Sequence, residues 1–421
     1  MKGTPPSELV EHVTRLVIQL AESEYLRESI DTLNRQDLWQ LNPARPEPAE
    51  FADERAIVAK IVTKLRQANS PMLSDQVILN RIIYRVVAPA LWGELPDDAV
   101  EARAQEEIEK LLKFEAYRDV DVPTLNLKVG EEPIEFGSVT FFPVTAADRD
   151  DPWWDHLPAR AEERVCVYGR VNSPGDLENS ARYAGEQVDE ALLLLRAIGM
   201  PIDHDQVAQI GVLSEYSTTR HHPHRLHRPN QNLQLEFDSP MVALLEPFKP
   251  PVRLSELISD IDQDDLSALV ALWEEHGLRP QQGNRMARKL LDGFRWIGEA
   301  TKPDTSAAKF LKLAVAFEFV VGGEARNDYL TTKSLTAGLC ERVAFLLADG
   351  LDERKEIHHQ ITDYYHTRSD LVHGRSENVD NDELEGFIEI VRRTAWALLK
   401  NINELNSVDQ LQKWVLEQRY S

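Results

Sequence analysis

Residues 353–374 read ERKEIHHQITDYYHTRSDLVHG, and the way this stretch folds decides the C-terminal architecture. Ile357, Ile361, Tyr364 and Leu371 recur at the spacing of an amphipathic helix, and Gly374 marks its end. Arg368 and His373 are the polar pair here whose spacing suggests chemistry. Five residues on an ideal helix turn about 140° beyond a full turn, so one helix aims the two side chains apart. Two copies of the helix facing each other bring them together on one ligand. His373 falls in the last turn, where the negative end of the helix macrodipole favours imidazolium. Arg368 stays charged and forks onto phosphate oxygens. A fixed cation beside a proton-transferring imidazole is what metal-free RNA cleavage needs. The plainer alternative makes both residues solvated ends of an ordinary helix.

Outward from this stretch, the pattern is helical from about residue 253 to the end. RLSELISDIDQDDLSALVALWEEHG, NRMARKLLDGFRWIGEA, SAAKFLKLAVAFEFVVGG, LTTKSLTAGLCERVAFLLADG and NDELEGFIEIVRRTAWALLKNINEL are long amphipathic segments with short connections, which predicts an antiparallel bundle. At the other end, 7–40 and 53–117 read as helical around the Pro-rich connector NPARPEPAEFADE. Between them the period changes. TLNLKVG, SVTFFPVT, ERVCVYGRV, QVAQIGVLSEYS and NLQLEFD read as strands. A helix is predicted at 178–199, closed by Gly199 in the left-handed position. The chain therefore reads as α+β, mostly α: a helical region over 1–117, an α+β region over 118–250 with one long helix, and a helical region over 251–421.

The 421 residues carry 71 Asp and Glu against 47 Lys and Arg, a net charge of −24. A duplex-coating protein shows the opposite balance. Residues 305–421 hold 14 basic and 19 acidic side chains, so most of the excess lies upstream. Nucleic-acid contact would have to be local or made by juxtaposing two copies. Two distant cysteines, Cys166 and Cys340, fit a reducing interior. No run reaches the ~18 apolar residues of a membrane span, and acids interrupt the N-terminus where a signal peptide needs an apolar core. The expectation is a cytoplasmic protein with no membrane partner.

TTRHHPHRLHRPNQN gathers His221, His222, His224 and His227 with Arg220, Arg225 and Arg228. Pro223 prevents a helix that would aim two imidazoles at one point, and no cysteine lies nearby. A solvated loop between strands is the expectation, with phosphate or RNA contact by the arginines as the sharper alternative and no structural metal. Trp153 and Trp154 in DPWWDHL are expected to pack rather than stack on bases. P-loop, zincin and GxSxG patterns are missing from the sequence.

FLKLAVAFEFVVGG, LTAGLCERVAFLL and YYHTRSDLVHGR, in that order, resemble the Apea-like branch of the HEPN superfamily. The resemblance spans about residues 285–405. It rests on the triplet Ala316-Phe317-Glu318, the R-x-A-x-L-L run from Arg342 to Leu347, and the R-S-x-x-V-H-G core from Arg368 to Gly374. It implies a HEPN-type antiparallel helical bundle that dimerises, so that two Arg–His motifs line one cleft. It further implies a metal-independent endoribonuclease without cofactor, acting on tRNA or other structured RNA in antiphage defence or a toxin system. Arg368 and His373 match the catalytic pair. Ser369 takes the polar position after the arginine, Glu318 matches the acid that orients Arg368, and Tyr365 becomes a wall of the site. Asp370 is expected to be solvated, and Arg375 is a further candidate for RNA. The rival implication is a non-catalytic module for dimerisation or for binding a partner or nucleotide.

Overall fold

The computed structural model describes residues 7–23, 26, 52–69, 75–112, 117–150, 164–199, 207, 209–212, 225–228, 231–233, 250–276, 284–302, 304–322 and 335–420. The fold is mostly α with a small antiparallel sheet. The chain divides into two compact units. One comprises Met1–Val120, Asn172–Ala184 and Leu226–Leu233, and the other Asp121–Val171, Gly185–Arg225 and Gln234–Ser421.

The first unit is built on α1 (Ser7–Ala21), α2 (Ala52–Asn69), α3 (Asp75–Ile82) and α4 (Asp97–Leu112). The predicted helical run over 53–117 is thus broken. After α3 the chain widens into a π-turn at Ile83–Val87 and continues as the short helix Ala88–Leu91. Pro89 explains the widening, because it cannot donate to the carbonyl four residues earlier and its ring crowds that turn. The carbonyl of Pro89 instead accepts Glu94 N–H at 2.8 Å and Leu95 N–H at 3.0 Å, closing the turn before α4. Val13, Val17 and Leu20 meet Val58, Ile61, Leu65, Ile82, Ala104 and Ile108 in one core. Each large aliphatic side chain buried there contributes about 1.5–3 kcal/mol. Glu107, fully buried, pairs with Arg81 and Lys110, each at 3.0 Å, and with Arg103 at 3.4 Å. Burial pushes its carboxyl up, but the hydrogen bonds from Lys110 and Arg81 outweigh that and hold it below the usual carboxylate range.

The sheet runs in the order β3-β4-β5-β1-β7-β8, with β6 also on β1. Its strands are β1 (Tyr117–Leu125), β3 (Ile134–Phe136), β4 (Val139–Pro143), β5 (Val165–Pro174), β6 (Gly211–Val212), β7 (Arg225–Arg228) and β8 (Gln231–Leu233). The short β2 (Leu127–Lys128) pairs in parallel with β9 (Val252–Arg253). The tight turn between β3 and β4 puts Gly137 at φ +56°, as a primed hairpin turn demands. A Cβ there would also stand 2.6 Å from the ring of Trp273. Residues 225–228, expected as loop, form β7: Leu226 pairs with Leu233 and His227 with Asn232, which satisfies the backbone of an otherwise polar segment. Residues 151–163 and 213–224, with Trp153, Trp154, Arg220 and the histidines at 221, 222 and 224, lie outside the described residues, as do the side chains of Arg225, His227 and Arg228.

The predicted long helix is α5 (Leu177–Ile198). Gly199 follows it but is not left-handed, contrary to expectation. Its role is space: a Cβ would meet Leu257 at 2.3 Å. The C-terminal half of α5 lies between the sheet and the next helices. Gly169 of β5 lets Val188 approach, and Gly298 lets the Leu193 carbonyl come within 2.1 Å of where a Cβ would stand. Arg295 forks onto Glu190 across the same contact.

The rest of this unit is helical: α6 (Gln263–His276), α7 (Arg285–Thr301), α8 (Ser306–Val321), α9 (Leu335–Leu347), α10 (Leu351–Val372), α11 (Asn381–Lys400) and α12 (Val408–Tyr420). Side-chain caps start several of them, Asn284 on α7, Thr305 on α8 and Asp380 on α11. The apolar α8 is central and touches α7, α9, α10 and α11. It buries Phe310, Leu313, Phe317 and Val320. Among the described residues, no helix is long and apolar enough to cross a membrane.

Candidate functional site

The site grows from the contact of α10 with α8 and α11. Tyr364 and Tyr365 are neighbours in sequence, so their rings point about 100° apart on the helix. Tyr364 stacks on Phe387 of α11, with centroids 4.8 Å apart. Its hydroxyl lies 2.6 Å from where a Cβ would stand at Gly386, so only glycine lets the ring in. Tyr365 turns to Phe317 of α8, 6.2 Å away. These aromatic contacts fix the rotation of α10 about its axis and, with it, the direction of Arg368.

Arg368 points back to α8. Its Nη2 lies 3.0 Å from Glu318 Oε1, and the two side chains are 35% and 34% exposed, so the pair sits at the rim of the core. The Tyr365 hydroxyl donates to the same Oε1 at 3.4 Å. The guanidinium carbon of Arg368 stands 5.8 Å from the Tyr365 ring centroid. Burial, and then the charge of Glu318, push the Tyr365 phenol far above its ordinary range. The phenol therefore remains a donor. Glu318 thus holds an arginine and a tyrosine on one oxygen, and the orienting acid expected from the sequence has Arg368 as its ion-pair partner. The hydroxyl contact of Tyr365 went unforeseen; its position three residues before Arg368, on the same helical face, is the signal that pointed to it.

α10 ends where the sequence indicates. His373 is the C-cap and Gly374 has φ +67°. Gly374 N–H bonds to the Leu371 carbonyl at 3.2 Å and Arg375 N–H to the Asp370 carbonyl at 2.8 Å, which together are the two bonds of a Schellman motif. His373 N–H bonds to the Ser369 carbonyl at 3.0 Å, so the backbone of the histidine is fixed while its side chain is exposed. Ser369 is half-buried and contributes that carbonyl. Asp370, expected to be solvated, pairs with Arg375 at 3.4 Å. Both members are well exposed, and a pair of this kind contributes at most about 1 kcal/mol. The structure therefore brings Arg368, Glu318 and Tyr365 together and leaves His373 about 1.4 turns further along the helix, facing solvent.

Among the described residues, no three His, Cys, Asp or Glu side chains gather in a way that would hold a metal ion. Chemically, the arrangement offers a guanidinium of fixed direction, a neutral phenol and an imidazole open to a ligand. No protein-family model, no curated protein and no solved structure matches this chain.

Proposed function

We propose that this protein is a metal-independent endoribonuclease of the HEPN type, cutting tRNA or other structured RNA as a homodimer in a defence or toxin-like role. The C-terminal helices α7 to α11 would be the HEPN bundle. The observation that carries the reading is the geometry of the R-x4-H motif: Arg368 is aimed by Glu318, and His373 is presented at a capped, exposed helix end. In this mechanism His373 moves protons to or from the 2′-OH and the leaving 5′-oxygen, while Arg368 holds the charge of the pentacoordinate phosphorus. A second copy supplies the opposite half of the cleft.

The test is incubation of the full chain with total tRNA and ribosomal RNA in EDTA, beside the His373→Ala variant. Discrete fragments from the native chain alone support the reading. A magnesium requirement, or equal cutting of DNA, overturns it. Light scattering should give a dimer at micromolar concentration, and a monomer that stays active at high dilution removes the two-copy cleft.

One observation favours a second reading, that of a non-catalytic binding module. Arg368 already has Glu318 as a counter-ion, and the chain carries a strong acid excess, so a protein partner with a basic surface would suit it as well. RNA that is neither cut nor bound, together with retained dimerisation, selects this alternative.

A further inference from the structure

Arg342 of α9 is 9% exposed, and its Nε has no hydrogen-bond partner among the described residues. The described residues also supply no carboxylate within ion-pair distance of it, unlike half-buried Arg368, which has Glu318. A buried guanidinium without an anion is strongly unfavourable unless something else answers it. Burial lowers its proton affinity, and the group that acts on it in the opposite sense is Tyr365. Since that phenol stays neutral, it brings a dipole and no compensating charge.

The position of Arg342 follows from the helix hairpin. Cys340 Sγ and Thr362 Oγ1 approach to 3.6 Å, so α9 and α10 are in antiparallel register with residue 340 level with 362. Gly338 then lies level with Tyr364 and Tyr365. Helical side chains lean toward the N-terminus, and Arg342 does so: its Nη1 is 3.5 Å from where a Cβ would stand at Gly338. The missing side chain at half-exposed Gly338 leaves room beside the guanidinium. Arg342 therefore reaches the Tyr365 level, one turn of α10, about 5 Å along the axis, from Arg368.

We infer that Arg342 is a second phosphate-holding residue of the same site, taking a backbone phosphate of the RNA next to the one held by Arg368. The inference rests on the nuclease reading and adds a substrate contact to it. Arg368 is satisfied internally and is positioned, whereas Arg342 has its charge still to be met. A phosphate oxygen pair matches the guanidinium fork.

The experiment measures binding of a fluorescein-labelled single-stranded oligoribonucleotide to the His373→Ala chain, with and without Arg342→Met, over a range of salt. Loss of one charged phosphate contact should weaken binding roughly tenfold or more. The slope of log affinity against log salt should fall by about 0.7. The melting temperature should hold or rise, because methionine removes a buried unpaired charge and keeps the apolar stem. Unchanged affinity and slope, with native RNA cleavage intact, overturn the inference and leave the nuclease reading standing. A melting temperature lower by several degrees with unchanged affinity of the folded protein also overturns it, as a packing role. A chain that neither binds nor cuts RNA takes down both.

Gly338→Glu provides the second variant. It places a carboxylate beside Nη1 on a surface turn, so it should raise the melting temperature and weaken the oligoribonucleotide as the methionine variant does. Equal binding by Gly338→Glu overturns the inference even if Arg342→Met fails to fold. Inorganic phosphate is the control probe: if Arg342→Met abolishes its stabilising effect and leaves the oligoribonucleotide unaffected, the site takes a small anion and the RNA contact is wrong.

Discussion

Glu318 Oε1 accepts from two groups of α10 at once, Arg368 Nη2 at 3.0 Å and the Tyr365 hydroxyl at 3.4 Å. One carboxylate on α8 therefore sets the direction of the guanidinium, and the neutral phenol stabilises the carboxylate without competing for its charge. Glu318→Gln keeps the shape and removes the charge. Because both partners are about one-third exposed, the fold should lose no more than about 1 kcal/mol. RNA cleavage should fall far more than stability does, since an arginine swung away by 1 Å loses its transition-state contact. Parallel thermal melts and cleavage rates check this; a variant as active as the native chain shows that Glu318 orients nothing.

Gly374 is a conformational requirement with no packing component. Its φ is +67°, and a Cβ there would meet nothing within 4 Å. Gly374→Ala should cost about 1 kcal/mol from the left-handed backbone alone, and Gly374→Asn less, because asparagine tolerates that region. Denaturation midpoints rank the three chains. Since the Schellman bonds also seat His373, cleavage should follow the same order.

Buried Glu107 makes the N-terminal unit acid-sensitive. Its carboxyl is held below the usual range in the folded chain, against about 4.3 when unfolded. A carboxyl lowered by folding contributes stability that is fully present above the unfolded value and is lost as pH falls through the folded one. The native chain should therefore lose stability below about pH 4.3. Glu107→Gln should be less stable at neutral pH by about 2 kcal/mol, through the lost charged hydrogen bonds. It should also show a flatter pH dependence in the same window, as followed by urea midpoints from pH 3 to 7. Equal slopes for the two chains refute the assignment.

The legible parts of this chain are those where the period is long and one-sided. The capped end of α10 followed from Gly374, and the pairing of Glu318 with Arg368 followed from a motif order. What escaped the sequence depended on contacts between distant segments. Pro89 gave no warning that the chain would pass through a π-turn rather than stop. Gly199 read as a left-handed cap, but its requirement comes from Leu257, 58 residues away in the chain. Arg342 read only as the first residue of the R-x-A-x-L-L run, because burial without a partner is a property of the packed hairpin and leaves no local signature. Residues 225–228 read as loop, since their polar composition hides pairing supplied by β8.

The chemistry gives the sharpest test. If His373 transfers protons and Arg368 holds phosphate charge, His373→Ala and Arg368→Ala should each slow RNA cleavage by about 10²-fold or more, the scale of a general acid–base group or an oxyanion stabiliser. Arg368→Lys should restore little, because an ammonium cannot fork onto Glu318 and a phosphate together. The products should end in a 2′,3′-cyclic phosphate, since attack by the neighbouring 2′-OH needs no activated water, and a deoxyribose at the cut should block the reaction. Both alanine variants should melt close to the native chain: His373 is exposed, and Arg368 leaves a carboxylate that is one-third exposed and still bonded to Tyr365. Mass spectrometry of the fragment ends decides the route. A 5′-phosphate product shows direct attack by water and removes the assigned roles of both residues.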